Sequence, residues 1–158
     1  MFIGETKTLW QNIGQTLWYL QTLEFALGHY LVLTQVVPGD KDEAYNQLDK
    51  SFKVTLGRLV AKLKESLHVH PEIEGKLEHL TDERNWLVHK IYRLHHIDIH
   101  DIQRFTKLLD RINALGNEAL NLAKEFSILC EQWCIANGVK EKDIDAEFNR
   151  RLQEGWNT

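Results

Sequence analysis

From residue 102 to residue 133 an apolar or small side chain stands at every third or fourth position: Ile102, Phe105, Leu109, Ile112, Gly116, Ala119, Ala123, Phe126, Cys130 and Trp133. A period near 3.6 residues gathers all of them on one face of a helix, whereas a strand would scatter them over both of its faces. A stripe of that length must be covered along its length, so the chain has to fold by packing long helices on one another. The small middle section, Gly116 to Ala123, predicts close approach by a neighbouring helix. "NGV" at 137–139 marks the end, because glycine suits the left-handed residue that follows a helix.

The same spacing recurs upstream. Residues 5–36 carry Leu9, Ile13, Leu17, Leu20, Leu27, Tyr30 and Leu31 on one broad face, and "VVPGDKD" closes that segment as a turn. A second helix is expected over 41–67, with Leu56, Leu59, Val60, Leu63 and Leu67 in its stripe. After "HVHPE", Pro71 fits the first turn of a third helix over 71–95, where its missing N–H is no loss. The fourth is expected over 99–136. The tail reads as a short amphipathic helix with Ile144, Phe148 and Leu152 on one side. No strand alternation, internal repeat or low-complexity stretch occurs. The expectation is an all-α, up-and-down bundle of four to five helices over residues 1–137. A C-terminal amphipathic helix at 138–158 would pack on the bundle or on a partner.

Composition limits the class of function. The formal net charge is −4, and a protein that coats long nucleic acids is usually basic, so any nucleic-acid contact should be local. Two cysteines, Cys130 and Cys134, sit four apart and read as small buried side chains. "MFIGETKTLW" lacks a basic segment followed by an apolar core, and no apolar run approaches the roughly 20 residues of a membrane span. The chain is expected to be cytoplasmic and reduced, with no membrane contact.

The third helix breaks its own pattern. Its stripe runs Ile73, Leu77, Leu80, Arg84, Leu87, Ile91, Leu94, so an arginine takes a seam position in an aliphatic row. At about 100° per residue, Asp82, Asn85, His89, Tyr92 and His96 form a second, polar face beside it. A bland account is available: Arg84 paired with an acid, Asn85 exposed, His89 satisfied by a carbonyl. The functional account is that Arg84, Asn85 and His89 touch a substrate. An arginine grips phosphate bidentately, and a histidine exchanges protons near neutral pH. With an asparagine to orient them, these are the parts of a phosphodiester-cleaving site that works without a metal.

"ERNWLVHKIY" resembles the signature of the HEPN superfamily of helical domains: an arginine, often followed by asparagine, with a histidine four to six residues on. The order of segments over residues 5–137 is similar too, with a long first helix, "LGRLVAKL", a short break, the helix with the motif and a further long helix. The resemblance implies a dimeric, metal-independent endoribonuclease whose two subunits line a shared cleft. Cleavage would use the RNA 2′-hydroxyl as nucleophile. It implies that Arg84 stabilises charge on the scissile phosphate, that His89 acts as general base or acid, and that Asn85 orients them. Many relatives are toxins with antitoxin partners or effectors of antiphage defence, and others keep the scaffold without catalysis. In one subgroup a tyrosine two positions after the histidine is modified by the antitoxin; here Ile91 stands there and Tyr92 comes one later.

Two functions follow as expectations. One is the ribonuclease, with RNA as substrate, a second copy of the chain, and an antitoxin or regulatory protein as partners. The other is a non-catalytic HEPN-like module that binds a protein partner or a nucleotide. Glu24, at the margin of the first helix's apolar face, is the candidate carboxylate to pair with Arg84 or fix His89. Asp82 and Tyr92 are further supporting candidates. "HHIDIHD" at 95–101 and "HVH" at 68–70 offer histidines and aspartates, but neither has a spacing tied to a known metal site, and Asp98 is as well explained as an N-cap. No metal or cofactor is expected. The tryptophans at 10, 18, 86, 133 and 156 suit packing better than base stacking.

Overall fold

The computed structural model of the chain describes residues 2–37, 39–66 and 70–154. Among them lie seven α-helices: α1 (Phe2–Gln35), α2 (Lys41–Ser51), α3 (Leu56–Ser66), α4 (Pro71–His89), α5 (Ile91–His95), α6 (Ile102–Ala136) and α7 (Glu141–Glu154). A 3-10 turn at Asp98–His100 joins α5 to α6. The all-α expectation holds; the helix count of four to five does not.

Two expected helices are split. The 41–67 segment breaks between Ser51 and Leu56. There Val54 and Thr55 are β-branched and poor in a helix interior, and the Thr55 carbonyl accepts from Leu59 N as the first bond of α3. The 71–95 segment bends at Lys90, which leaves helical geometry with φ −120° and ψ −21°. No proline or glycine is present to cause this second break. The fourth helix starts at Ile102 rather than 99, because Asp101 is its N-cap and accepts from Gln103 N and Arg104 N at 2.9 and 3.1 Å. Its end matches expectation. Gly138 has φ +89°, and Val139 N and Gly138 N donate to the Cys134 and Ile135 carbonyls, the Schellman pattern.

The largest interface is between α1 and α6, and these helices run parallel. Thr16 Oγ1 donates to the Ile112 carbonyl at 3.0 Å, and further along both helices the rings of Tyr30 and Phe126 meet edge-on at 5.4 Å. The small residues of α6 permit this closeness. A Cβ at Gly116 would lie 2.9 Å from Thr16 Oγ1, so a larger residue there would have to displace the Thr16 hydroxyl.

The parallel pairing follows from the split at 52–55. α2 returns alongside α1, with Ser51 against Gly28 and the Phe52 ring stacked on Phe25 at 5.2 Å. α3 turns upward again. α4 then descends against it, so that Gly57 faces Thr81 while Lys64 pairs with Glu74 and Glu78. α4 also runs antiparallel to α6, with Glu83 to Arg111 early in α6 and His79 to Glu118 later. The chain therefore reverses once more than four helices would need, which turns α6 into the direction of α1. Leu23, Leu27, Leu56, Leu59, Leu63, Leu77, Leu80, Ile112, Leu122 and Phe126 fill the core between these helices.

The tail forms α7 where an amphipathic helix was expected. Pro38, Leu67, His68, Val69 and Trp156, and the side chains of Phe148 and Leu152, lie outside the described residues. No helix among the described residues is long and apolar enough to cross a membrane.

Candidate functional site

α4 begins as expected at Pro71, with the His70 side chain as N-cap. Leu77, Leu80 and Leu87 are buried, and Arg84, in the same row, is half-buried at its edge. Among the described residues no carboxylate pairs with it. Asp82, Asn85 and His89 are exposed along one stripe of α4, and His89 is the helix's last residue. The structure thus brings Asn85 and His89 together on the surface, one turn apart. Five positions separate Arg84 from His89, which is about 140° around the axis, so the two side chains leave the helix in different directions.

Beyond the bend at Lys90 the polar stripe passes onto α5. Tyr92 is 79% exposed, and its ring lies 5.7 Å from that of His96. Both line a groove of about 240 Å³ that also takes in Trp10 from α1 and His95.

Glu24 is not part of this arrangement. Its Oε1 accepts from the backbone N of Leu56 at 3.1 Å, at the first turn of α3. A helix start has unpaired N–H groups and a partial positive charge, and both favour a carboxylate there. The expected pairing of Glu24 with Arg84 or His89 is replaced by this cap.

A second cluster joins α4, α5 and α6. Arg111 Nε and one terminal nitrogen donate to the two carboxylate oxygens of Glu83 at 2.8 and 2.6 Å, and its guanidinium carbon lies 3.7 Å from the centre of the Trp86 ring. Hydrogen bonding from Arg111 holds the Glu83 carboxyl below the usual carboxylate range, and the same pairing raises the Arg111 guanidinium. Trp86 is buried, its Nε1 has no hydrogen-bond partner among the described residues, and its ring meets His95 edge-on at 5.5 Å. His95 Nδ1 in turn lies 2.6 Å from Asp98 Oδ2. The i, i+3 spacing of His95 and Asp98 was the one legible part of this chain of contacts. Asp98, weighed as an N-cap, instead begins the 3-10 turn and anchors His95. Among the described residues no three histidine, cysteine or acidic side chains are grouped as metal ligands would be.

Cys130 and Cys134 are free thiols. Burial pushes the Cys130 thiol up to about 12, with the neighbouring Cys134 adding to the shift, and burial raises Cys134 as well.

Comparison with known proteins finds no matching family model, no matching curated protein and no matching solved structure.

Proposed function

We propose that the protein is a metal-independent endoribonuclease of the HEPN type, acting as a dimer in the cytoplasm, with Arg84 and His89 as catalytic residues. The observation that carries this reading is a half-buried arginine with no carboxylate partner among the described residues, on the same helix as an exposed asparagine and histidine. A guanidinium held partly out of water without an anion leaves desolvation uncompensated. A phosphate supplies the missing anion. A purely structural arginine would be closed off by an acid, and Glu24, the expected partner, is engaged at α3.

In the proposed reaction the 2′-oxygen of a ribose attacks the adjacent phosphorus and the bond to the 5′-oxygen breaks. A 2′,3′-cyclic phosphate and a free 5′-hydroxyl result. His89 takes the proton from the 2′-hydroxyl or gives one to the leaving 5′-oxygen, and Arg84 stabilises the charge that builds on the phosphoryl oxygens. Asn85, one turn before His89, positions the ring or the substrate. A two-fold dimer would double these groups in one cleft and supply both an acid and a base. Such an activity suits a toxin or an antiphage effector restrained by a regulatory protein.

The test is incubation with single-stranded RNA in EDTA, followed by analysis of the new ends. Cyclic phosphate ends are expected; intact RNA, or ends bearing a 3′-hydroxyl, would overturn the proposal.

A further inference from the structure

The groove between the start of α1, α5 and the 3-10 turn has a chemistry of its own. Trp10, 63% exposed, and Tyr92 present aromatic surface to it, Ile91 and Leu108 add apolar wall, and His95 and His96 both line it. Two hydrogen bonds define what the imidazoles offer. His95 Nδ1 faces the Asp98 carboxylate at 2.6 Å, and His96 Nδ1 faces the Tyr92 carbonyl at 3.2 Å. Carboxylates and carbonyls only accept, so in each neutral ring Nδ1 carries the hydrogen and Nε2 is left as an acceptor. The His95 ring also meets the Trp86 ring edge-on, and the Arg111 guanidinium, itself held by Glu83, covers Trp86. His95 is a fixed element of the groove.

A ligand suited to these side chains is a flat ring that stacks on the aromatic groups and offers N–H donors to the two imidazoles. Among the RNA bases, guanine alone has adjacent donor groups, N1–H and N2–H₂, on its pairing edge. Bases of single-stranded RNA are read in this way, by stacking and by edge hydrogen bonds. The groove's volume of about 240 Å³ suits one ring system rather than a drug-sized ligand. Its position fits a polymer that also reaches the motif, because Tyr92 follows His89 by less than one turn across the bend at Lys90.

We infer that this groove is a guanine-binding subsite, in which the base packs against Trp10 and Tyr92 and donates to Nε2 of His95 and His96. The inference rests on the ribonuclease reading for the identity of the polymer, but binding at the groove does not require cleavage.

The experiment uses 2′-O-methyl pentanucleotides, which lack the nucleophile and cannot be cut. UUGUU, UUAUU and the inosine analogue UUIUU are titrated against the full chain by calorimetry. The guanine oligonucleotide should bind about ten-fold tighter than the adenine one, as expected for a paired base contact. Inosine, which lacks the 2-amino group, should fall between them. His96→Phe, which keeps a ring but loses the acceptor, and Trp10→Ala, which trims an exposed side chain, should each remove the preference. Equal affinities for guanine and adenine, no measurable binding of either, or a preference that survives in both variants would overturn the subsite. A guanine preference in binding, with no cleavage of the ribose counterpart, would sink the nuclease and leave the subsite standing. Cleavage that depends on His89 without any base preference would do the reverse.

Discussion

The guanidinium carbon of Arg111 lies 3.7 Å from the centre of the Trp86 ring while its nitrogens grip both oxygens of Glu83. The contact ties α6 to α4, with Trp86 three residues before His89. It also braces the ring against which His95 packs. Cation–π attraction and a bidentate ion pair, both partly exposed, are together worth about 1–2 kcal/mol. Arg111→Ala should therefore lower stability by that amount in urea unfolding, and Arg111→Lys should restore only part of it, because lysine lacks the fork. An Arg111→Ala protein with an unchanged urea midpoint would show the contact to be incidental.

His89→Ala should reduce RNA cleavage by about 10²–10⁴-fold, the usual worth of general acid–base help. His89 is exposed at the end of α4, so its removal leaves the core intact, and the helical circular-dichroism signal should not change. Retained wild-type cleavage would exclude His89 from catalysis.

Arg84→Lys separates a phosphate-binding arginine from a structural one. With no carboxylate partner among the described residues, Arg84 has no ion pair to lose, so the melting temperature should stay within a degree or two of wild type. Cleavage should nevertheless fall sharply, because lysine keeps the charge but not the planar fork. A large melting loss with normal specific activity would reverse the assignment.

A homodimer with the α4 helices of two copies close to a two-fold axis should be seen by light scattering at micromolar concentration. The exposed stripe Asp82, Asn85 and His89 is the surface that would face the shared cleft. A clean monomer that still cleaves RNA would refute the shared site.

The thiol of Cys130 should alkylate far more slowly at pH 8 than an exposed cysteine, because burial pushes it from an ordinary 9.0 up to about 12 and the reactive thiolate is suppressed. The sign for stability follows. The folded state holds this proton more tightly than the unfolded chain, so the contribution is full below pH 9 and is lost as pH climbs towards 12. Cys130→Ala should flatten the alkaline fall in urea midpoint, and an unchanged slope would contradict the shift.

The amino-acid sequence by itself determined that the chain is helical and where several helices begin and end, because those properties are local. A 3.6-residue period makes the stripe from Ile102 to Trp133 helical, Pro71 suits a first turn, and Gly138 takes the left-handed φ of +89° that closes α6. Gly116 likewise foretold a close neighbour, though not that Thr16 would be it. The polar stripe of Asn85 and His89 was legible for the same reason: neighbours on one helix face are set by the helix period. The direction of α1 relative to α6 was not legible, since it depends on whether one weak stretch, Val54–Thr55, breaks a helix. In the fold, Leu56 N at the start of α3 meets the carboxylate of Glu24, a residue 32 positions away. The bend at Lys90 has no local cause either, and it accompanies packing of His95 against Trp86 and Asp98. Arg111, Glu83 and Trp86 meet only once α4 and α6 have settled their register. A side chain's partner on another helix is fixed by packing, and packing is a property of the whole fold.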